Sequence, residues 1–324
     1  MAGFFYLWIF AYYPVLSPVQ MNIFSVTILG SSSALPTSHR FPTAQVVRLN
    51  EQLFLIDCGE GTQIQLRRFG FKMGRINHIF ISHLHGDHIY GLPGLISSLA
   101  LYGKKGELHI YAHSDLPQMM AGMMKFMNEV TDLQVKYHPL NFHRSAVIYE
   151  DKRIKISSFP LKHRISCCGF LFQELPSDLH LDKQALEQFE IPVTQRNNIK
   201  NGADLVLPDG SVIPNHYLTL PARPPRTYAF CTDTVVRKEI IPLVEGADLL
   251  YHEATFAANL SDLAVKTFHT TTFQAADLAS QARVKKLVIG HFSSRYKDVT
   301  PLVNEARTIF PETFAANDGD CYEL

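Results

Sequence analysis

The chain has 324 residues, enough to bury a large core as one elaborated domain or two. Hydrophobic residues make up 46% and charged residues 19%, which excludes a disordered chain, and Lys+Arg and Asp+Glu balance at 30 each, so no global basic field announces a nucleic-acid partner. The five cysteines, Cys58, Cys167, Cys168, Cys231 and Cys321, form no C-x-x-C pair; they exclude a disulfide framework and suggest reduced thiols in a cytoplasmic protein.

Residues 1–20 open with "GFFYLWIFAYY", which is apolar but only about half the length of a bilayer span. The segment lacks the basic start of a signal peptide, and Pro14 and Pro18 follow it. It reads as an extension ahead of a domain over 21–324, with no membrane partner expected. From Met21 short apolar runs alternate with longer amphipathic ones, the pattern of an α/β protein. "FSVTILG", "LFLIDCG", "HIFISH", "ELHIYA", "RIKISSF", "RTYAFCTD", "DLLYHEA" and "KLVIGH" read as strands, and residues 92–102, 115–130, 178–190 and 300–310 as helices. Cys58 and Cys231 lie in apolar runs and read as small core residues, and the methionines of "QMMAGMMKFM" as core filler. The basic groups at Arg67, Arg68, Lys72 and Arg75, at Lys104 and Lys105, and at Arg283, Lys285 and Lys286 read as solvated faces. Residues 176–226 differ: they are rich in turn residues, and Asp209-Gly210 signals a hairpin, so the segment reads as an insertion.

The chemistry concentrates in "ISHLHGDH", residues 81–88. His83 and His85, two apart, can face one cation, while Gly86 lets Asp87 and His88 turn toward a second. Two cations need a shared bridge about 3.5–4 Å wide, which Asp233 in "CTDT" can supply through its two oxygens. Nitrogen and oxygen donors without thiolate favour zinc, with manganese or iron as substitutes. Asp57, His83, Asp233, Glu253 and His291 each end an apolar run and His163 lies just beyond one; strand ends are where distant residues meet in an α/β protein.

H-x-H-x-D-H followed by isolated His, Asp and His resembles the metallo-β-lactamase superfamily, which implies a four-layer αββα sandwich. "HEAT" at 252–255, "HTTTFQAA" at 269–276 and "HFSSRY" at 291–296 resemble, more narrowly, the ribonuclease Z family of tRNA 3′-processing endoribonucleases. That resemblance, running from about Met21 to the C-terminus, implies two zinc ions per subunit, one on His83, His85 and His163, the other on Asp87, His88 and His291, with Asp233 between them. It puts Asp57 behind the metal loop and gives His252 a structural role. Asp87 is implied to accept the proton of the attacking water, and Glu253 and His269 to protonate the leaving 3′ oxygen. The products would be tRNA with a 3′-hydroxyl and a trailer with a 5′-phosphate. Thr271 and Gln274 have capping-box spacing, so a helix is expected just after His269. The other histidines, at 39, 78, 109, 113, 138, 143, 180 and 216, match no ligand.

The resemblance also implies precursor tRNA as partner, a homodimer, and residues 176–226 as a substrate-binding arm. The sequence departs from the family in two places. The arm lacks a Gly-Pro motif and carries five Lys/Arg against six Asp/Glu, and the early P-x-K-x-R-N loop reads "PTSHRF", keeping Pro36 and Arg40. Arg295 in "SSRY" is a candidate phosphate contact, with a structural ion pair as the alternative. Two other readings stay open: a hydrolase of small phosphodiesters or other esters on the same fold, and a non-catalytic RNA-binding subunit.

Overall fold

The computed structural model of the chain describes residues 23–125 and 132–324. The apolar opening segment 1–20 and the last part of the expected helix 115–130 lie outside the described residues. Strands dominate as the apolar runs require, and they assemble into two seven-stranded sheets. The first runs in the order Cys321–Glu323, Phe24–Gly30, Ala44–Leu49, Gln52–Ile56, Ile76–Phe80, Gly106–Ala112 and Leu133–Pro139. It is antiparallel as far as Gln52–Ile56 and parallel beyond. The second runs Thr313–Ala315, Leu287–Gly290, Leu249–Glu253, Thr227–Cys231, Ser166–Glu174, Ile154–Lys162 and Ala146–Glu150. Its first four strands are parallel and the rest antiparallel.

Alternation along each strand assigns side chains to layers. In Thr227–Cys231, Tyr228 and Phe230 point between the sheets, where they join Phe54, Phe80, Phe170 and Phe172. Ala229 and Cys231 point the other way, into a core shared with the helices Thr272–Gln281 and Thr300–Arg307. The outer face of the first sheet packs on the helices Thr62–Arg68, Leu92–Leu101 and Leu116–Met124 through Leu66, Leu95, Leu99 and Met120. The result is the expected αββα sandwich. All five cysteines are free, and Cys58 and Cys231 are wholly buried. Among the described residues no helix is long and apolar enough to cross a membrane.

Several of the basic groups are in exposed ion pairs, Arg75 with Glu51, Lys105 with Asp132, Arg283 with Glu245 and Lys285 with Asp248, which contribute little to stability. Between Glu174 and Thr227 the chain builds a separate small core from Ala185, Ile191, Ile199, Leu205 and Leu218. Its ends are clasped by Arg226, whose Nε and Nη2 each donate to Glu174 at 2.8 Å. The hairpin at Asp209-Gly210 forms, pairing Leu205–Val206 with Val212–Ile213. The expected helix 178–190 does not run that far. His180–Leu181 pairs as a strand with Thr219–Leu220, and the helix spans only Lys183–Gln188 because Asp182 caps it by accepting from Gln184 N. Pro192 then opens a separate helix, Val193–Lys200.

The start of the helix Leu92–Leu101 is held against the segment that follows Asp57 by close backbone contact. Gly91 N donates to Cys58 O at 2.8 Å, and a Cβ on Gly91 would overlap the Gly59 carbonyl oxygen. Gly91→Ala should therefore lose about 1–3 kcal/mol of stability by denaturant titration, since neither backbone segment can retreat.

Candidate metal centre

The site lies where strands from both sheets end. Asp57 follows Gln52–Ile56, His83 lies just past Ile76–Phe80, His163 follows Ile154–Lys162, and Asp233 lies just past Thr227–Cys231. Glu253 ends Leu249–Glu253 and His291 follows Leu287–Gly290. Sharp turns bring these side chains inward: Asp57 (φ 55°), Phe268 (φ 62°) and His291 (φ 58°) all adopt the left-handed region that non-glycine residues seldom occupy.

Two groups of donor atoms result. In the first, His83 Nε2 is 3.0 Å from His85 Nδ1 and 3.6 Å from Asp233 Oδ2, and His163 Nε2 is 3.2 Å and 3.7 Å from the same two atoms. In the second, His291 Nε2 is 3.4 Å from Asp87 Oδ2 and 3.1 Å from Asp233 Oδ1, and His88 Nε2 is 3.3 Å and 3.5 Å from them. Asp233 thus gives one oxygen to each group. Donors about 2.0–2.1 Å from a tetrahedral cation lie about 3.3 Å from one another, so both groups have the spacing a cation would impose.

The far side of each imidazole explains which nitrogen faces the site. Asp57 Oδ2 accepts from His88 Nδ1 at 2.7 Å, while its Oδ1 accepts from Ser82 N at 2.7 Å. Ser82 Oγ donates to Asp57, so it is left to accept from His83 Nδ1 at 3.0 Å. Phe268 O accepts from His163 Nδ1 at 3.0 Å, and Thr255 Oγ1 from His291 Nδ1 at 2.9 Å. In the neutral form of all four rings Nε2 is therefore the nitrogen left without a proton and aimed at the centre, the usual arrangement for histidine ligands. His88 Nε2 is buried with no hydrogen-bond partner, as an unfilled ligand atom would be.

Charge gives the same answer. Asp57, Asp87 and Asp233 are buried, and among the described residues the only cationic groups paired with them are histidines. Burial works against the Asp233 carboxylate, yet His291, His88 and His83 hold it well below the usual carboxylate range. Burial likewise opposes protonation of His88, but Asp87, Asp57 and Asp233 hold it well above its ordinary value. So concentrated a negative potential suits divalent cations, and the donor set fits them.

Beside the second group stands a different pair. Glu253 Oε1 accepts from His269 Nδ1 at 3.0 Å and from Thr270 N at 2.9 Å; Oε2 accepts from Thr255 N at 3.0 Å and Thr255 Oγ1 at 2.7 Å. Glu253, His269 and His291 also lie within reach of a common ion. Glu253's oxygens are, however, already taken by these donors, which makes the pair a hydrogen-bonded relay. Burial opposes the imidazolium, but the Glu253 carboxylate outweighs it and pushes His269 up to about 9. The expected helix follows, Thr272–Gln281, with the Thr271/Gln274 capping box formed. A cavity of about 600 Å³ opens over His85, Asp87, His163, Asp233, His269 and His291.

Every residue singled out for the site is thus brought to it. Sequence reasoning missed Ser82, Thr255 and Phe268, which set the imidazole tautomers; of these only Thr255 falls within a family motif, as the last residue of "HEAT". His252 points away from the centre, its Nδ1 donating to Glu253 O at 2.7 Å. Arg40 is structural, donating to Ser31 Oγ and Ala316 O at 2.8 Å. Arg295 forms no ion pair among the described residues; its guanidinium lies 4.9 Å from the centre of the Phe256 ring.

Fold and site together define a metal-binding hydrolase of the metallo-β-lactamase fold. The chain is similar to human tRNase Z, short form, with a TM-score of 0.67 at 27% identity over 92% of this chain and 98% of that one. The metallo-β-lactamase fold protein YhfI of Bacillus subtilis, at 19% identity and a TM-score of 0.65 over 94% of this chain and 100% of that one, shares the fold. A family model described as Anti-Pycsar protein Apyc1 matches residues 24–199, a stretch that holds the histidine-rich loop and ends before Asp233. Over nearly the whole chain, ribonuclease Z of Bacteroides thetaiotaomicron is 49% identical, covering 94% of this chain and 96% of that one. Ribonuclease Z of Porphyromonas gingivalis W83 is 47% identical, covering 92% and 98%. The chain belongs to the ribonuclease Z family and, through residues 24–199, to that of Anti-Pycsar protein Apyc1.

Asp57 touches no site-facing nitrogen, yet it fixes His88. Asp57→Ala should weaken metal binding about 10–100-fold, measured by competition against a chelator of known affinity.

Proposed function

We propose that the protein is a zinc-dependent endoribonuclease that cuts precursor tRNA at its 3′ end. It would release a trailer with a 5′-phosphate and leave tRNA with a 3′-hydroxyl. The observation that carries this reading is a shared cavity wall: two donor groups divide the oxygens of Asp233 and stand next to an imidazole backed by a buried carboxylate. Family membership supplies the RNA substrate.

In this reading His83, His85, His163 and Asp233 hold one zinc ion, and Asp87, His88, His291 and Asp233 a second. Bound there, the cations supply Lewis acidity, making water nucleophilic near neutral pH and offsetting charge on the phosphate. Asp87, at the cavity, takes up the proton that the attacking water gives up. His269 has its Nδ1–H committed to Glu253, so its other nitrogen holds a proton toward the cavity and delivers it to the departing 3′ oxygen. Glu253 stays ionised throughout, because the hydrogen-bond donors around it favour the charged form.

Residues 176–226 act as the substrate-binding arm of a homodimer, each arm serving the partner's active site. The arm's self-contained core and the exposed Ile64, Leu101 and Tyr102 beside a cavity of about 320 Å³ support that arrangement. The free thiols support a cytoplasmic setting.

Cleavage of a 3′-extended tRNA precursor tests the reading directly. Cleavage of bis(p-nitrophenyl) phosphate alone would favour a small-ester hydrolase, and tRNA binding without cleavage of either would favour a non-catalytic subunit. His269→Ala should lose about two to four orders of magnitude in turnover while keeping its metal content by elemental analysis. Loss of metal in that variant would sink the proton-donor role.

The pH dependence carries a sign. The donor works while protonated, so activity falls as pH rises through the His269 pKa. Asp233 and Asp87 are among the charges that raise it, and cations held by them would offset that part. Glu253→Gln removes the main group raising it, so the alkaline limb of the kcat profile should move to lower pH. An unmoved limb would assign it to another group.

A further inference from the structure

A second cavity, of about 680 Å³, opens on the other side of His163 and Arg164, the two residues that line both it and the catalytic cavity. Its fixed charges are Lys162, Arg164 and Arg237 against Asp115 alone. Asp115 Oδ1 accepts from Ser114 Oγ at 3.4 Å, and His113 Nδ1 accepts from Asp115 N at 3.3 Å. Arg237 has Glu239 at 3.4 Å, a carboxylate that also feels the charge of Lys162, whereas Arg164 forms no ion pair among the described residues. Past them the wall carries Phe142, tilted against His113 with ring centres 5.3 Å apart, and the exposed His143. A further hollow of about 370 Å³ shares His113, Phe142 and His143 and carries the groove onward. In a chain of zero net charge, a cationic groove with aromatic faces that starts at the catalytic centre needs an explanation other than bulk charge.

We infer that this groove is a binding subsite for the single-stranded 3′ trailer of the RNA substrate, with Lys162, Arg164 and Arg237 tracking its phosphates and the Phe142–His113 face taking a base. The inference rests on the endoribonuclease reading above. Unpaired RNA is bound by this combination of a cationic track and ring faces, without sequence preference. The choice of strand follows from the form of the substrate. The tRNA body is folded and is assigned above to the arm 176–226, whereas a cationic track with a ring face suits an unpaired strand, which leaves the trailer to pass His163 and Arg164.

The test compares precursors carrying a single-nucleotide trailer and one of about ten nucleotides, long enough to run the groove. In Lys162→Glu/Arg237→Glu, the ratio of kcat/KM for the long trailer to that for the short one should fall about tenfold, and the salt slope for the long substrate should flatten by about 0.7 for each phosphate left without its cationic partner. His143→Glu, on an exposed loop at the far end, should lower the same ratio in the same direction. Because the ratio is internal to each variant, damage to folding or to the metal centre cancels. A ratio and salt slope equal to those of the unaltered protein would overturn the subsite, as would equal losses on both substrates. If the unaltered protein cleaves neither precursor, the endoribonuclease reading itself falls, and the trailer assignment with it.

Discussion

Three carboxylates, Asp57, Asp87 and Asp233, are buried at one end of the sandwich with no lysine or arginine paired to them among the described residues. Buried charge without a counter-charge costs several kcal/mol per group, so a cluster this dense persists only where positive charge is supplied. Histidines supply it in part, and the geometry of their rings is set for more than protonation. Asp233 turns one oxygen to each donor group, and four imidazoles have their outer nitrogens committed to Asp57, Ser82, Phe268 and Thr255. Much of the loop structure follows from that demand, including the left-handed Asp57 and His291, a backbone conformation uncommon outside glycine that Asp and His tolerate better than most.

The centre is also a joint between the two sheets. His83, His85, Asp87 and His88 come from the loop after a strand of the first sheet, and His163, Asp233 and His291 from the second. Their separation is fixed by the aromatic layer between the sheets, Phe80 against Phe170 and Phe172 with ring centres 5.7 Å apart. Cys168 N donates to Ser82 O at 3.1 Å, so the strand after His163 is tied directly to the residue before His83. Packing and site are therefore coupled: a cavity opened in the aromatic layer changes the distance across which Asp233 spans.

How much of this the sequence discloses depends on whether the signal is local. "HLHGDH" is legible because four donors fall within six positions, and the strand ends are legible because each apolar run stops at a titratable residue. The strands Ala44–Leu49, Leu133–Pro139, Ala146–Glu150 and Ser166–Glu174 are harder to read: Arg48, Lys136 and Gln173 interrupt their patterns, and the two cysteines, glycine and phenylalanines of Ser166–Glu174 carry no period-two signature. The helix expected at 178–190 breaks because Asp182 caps and Leu181 pairs with Thr219, a partner 38 residues on that no local window contains. Phe268 is illegible for another reason. It closes the helix Ser261–Thr267 in the left-handed conformation, where glycine is usual, and contributes to the site only through its carbonyl.

Thr255 shows how the two kinds of chemistry are joined. Its hydroxyl has a single proton, which goes to Glu253 Oε2 at 2.7 Å, so it can only accept from His291 Nδ1 at 2.9 Å. One hydroxyl therefore fixes both the carboxylate behind the proposed proton donor and the tautomer of a proposed metal ligand. Valine would match its shape but would leave Glu253 one donor short and His291 Nδ1 without an acceptor. Freed of that partner, His291 could carry its proton on Nε2, the atom that faces Asp233 and Asp87. The proton-transfer pair and the metal pocket thus share a hydrogen-bond network, and neither can be re-tuned at this position without the other.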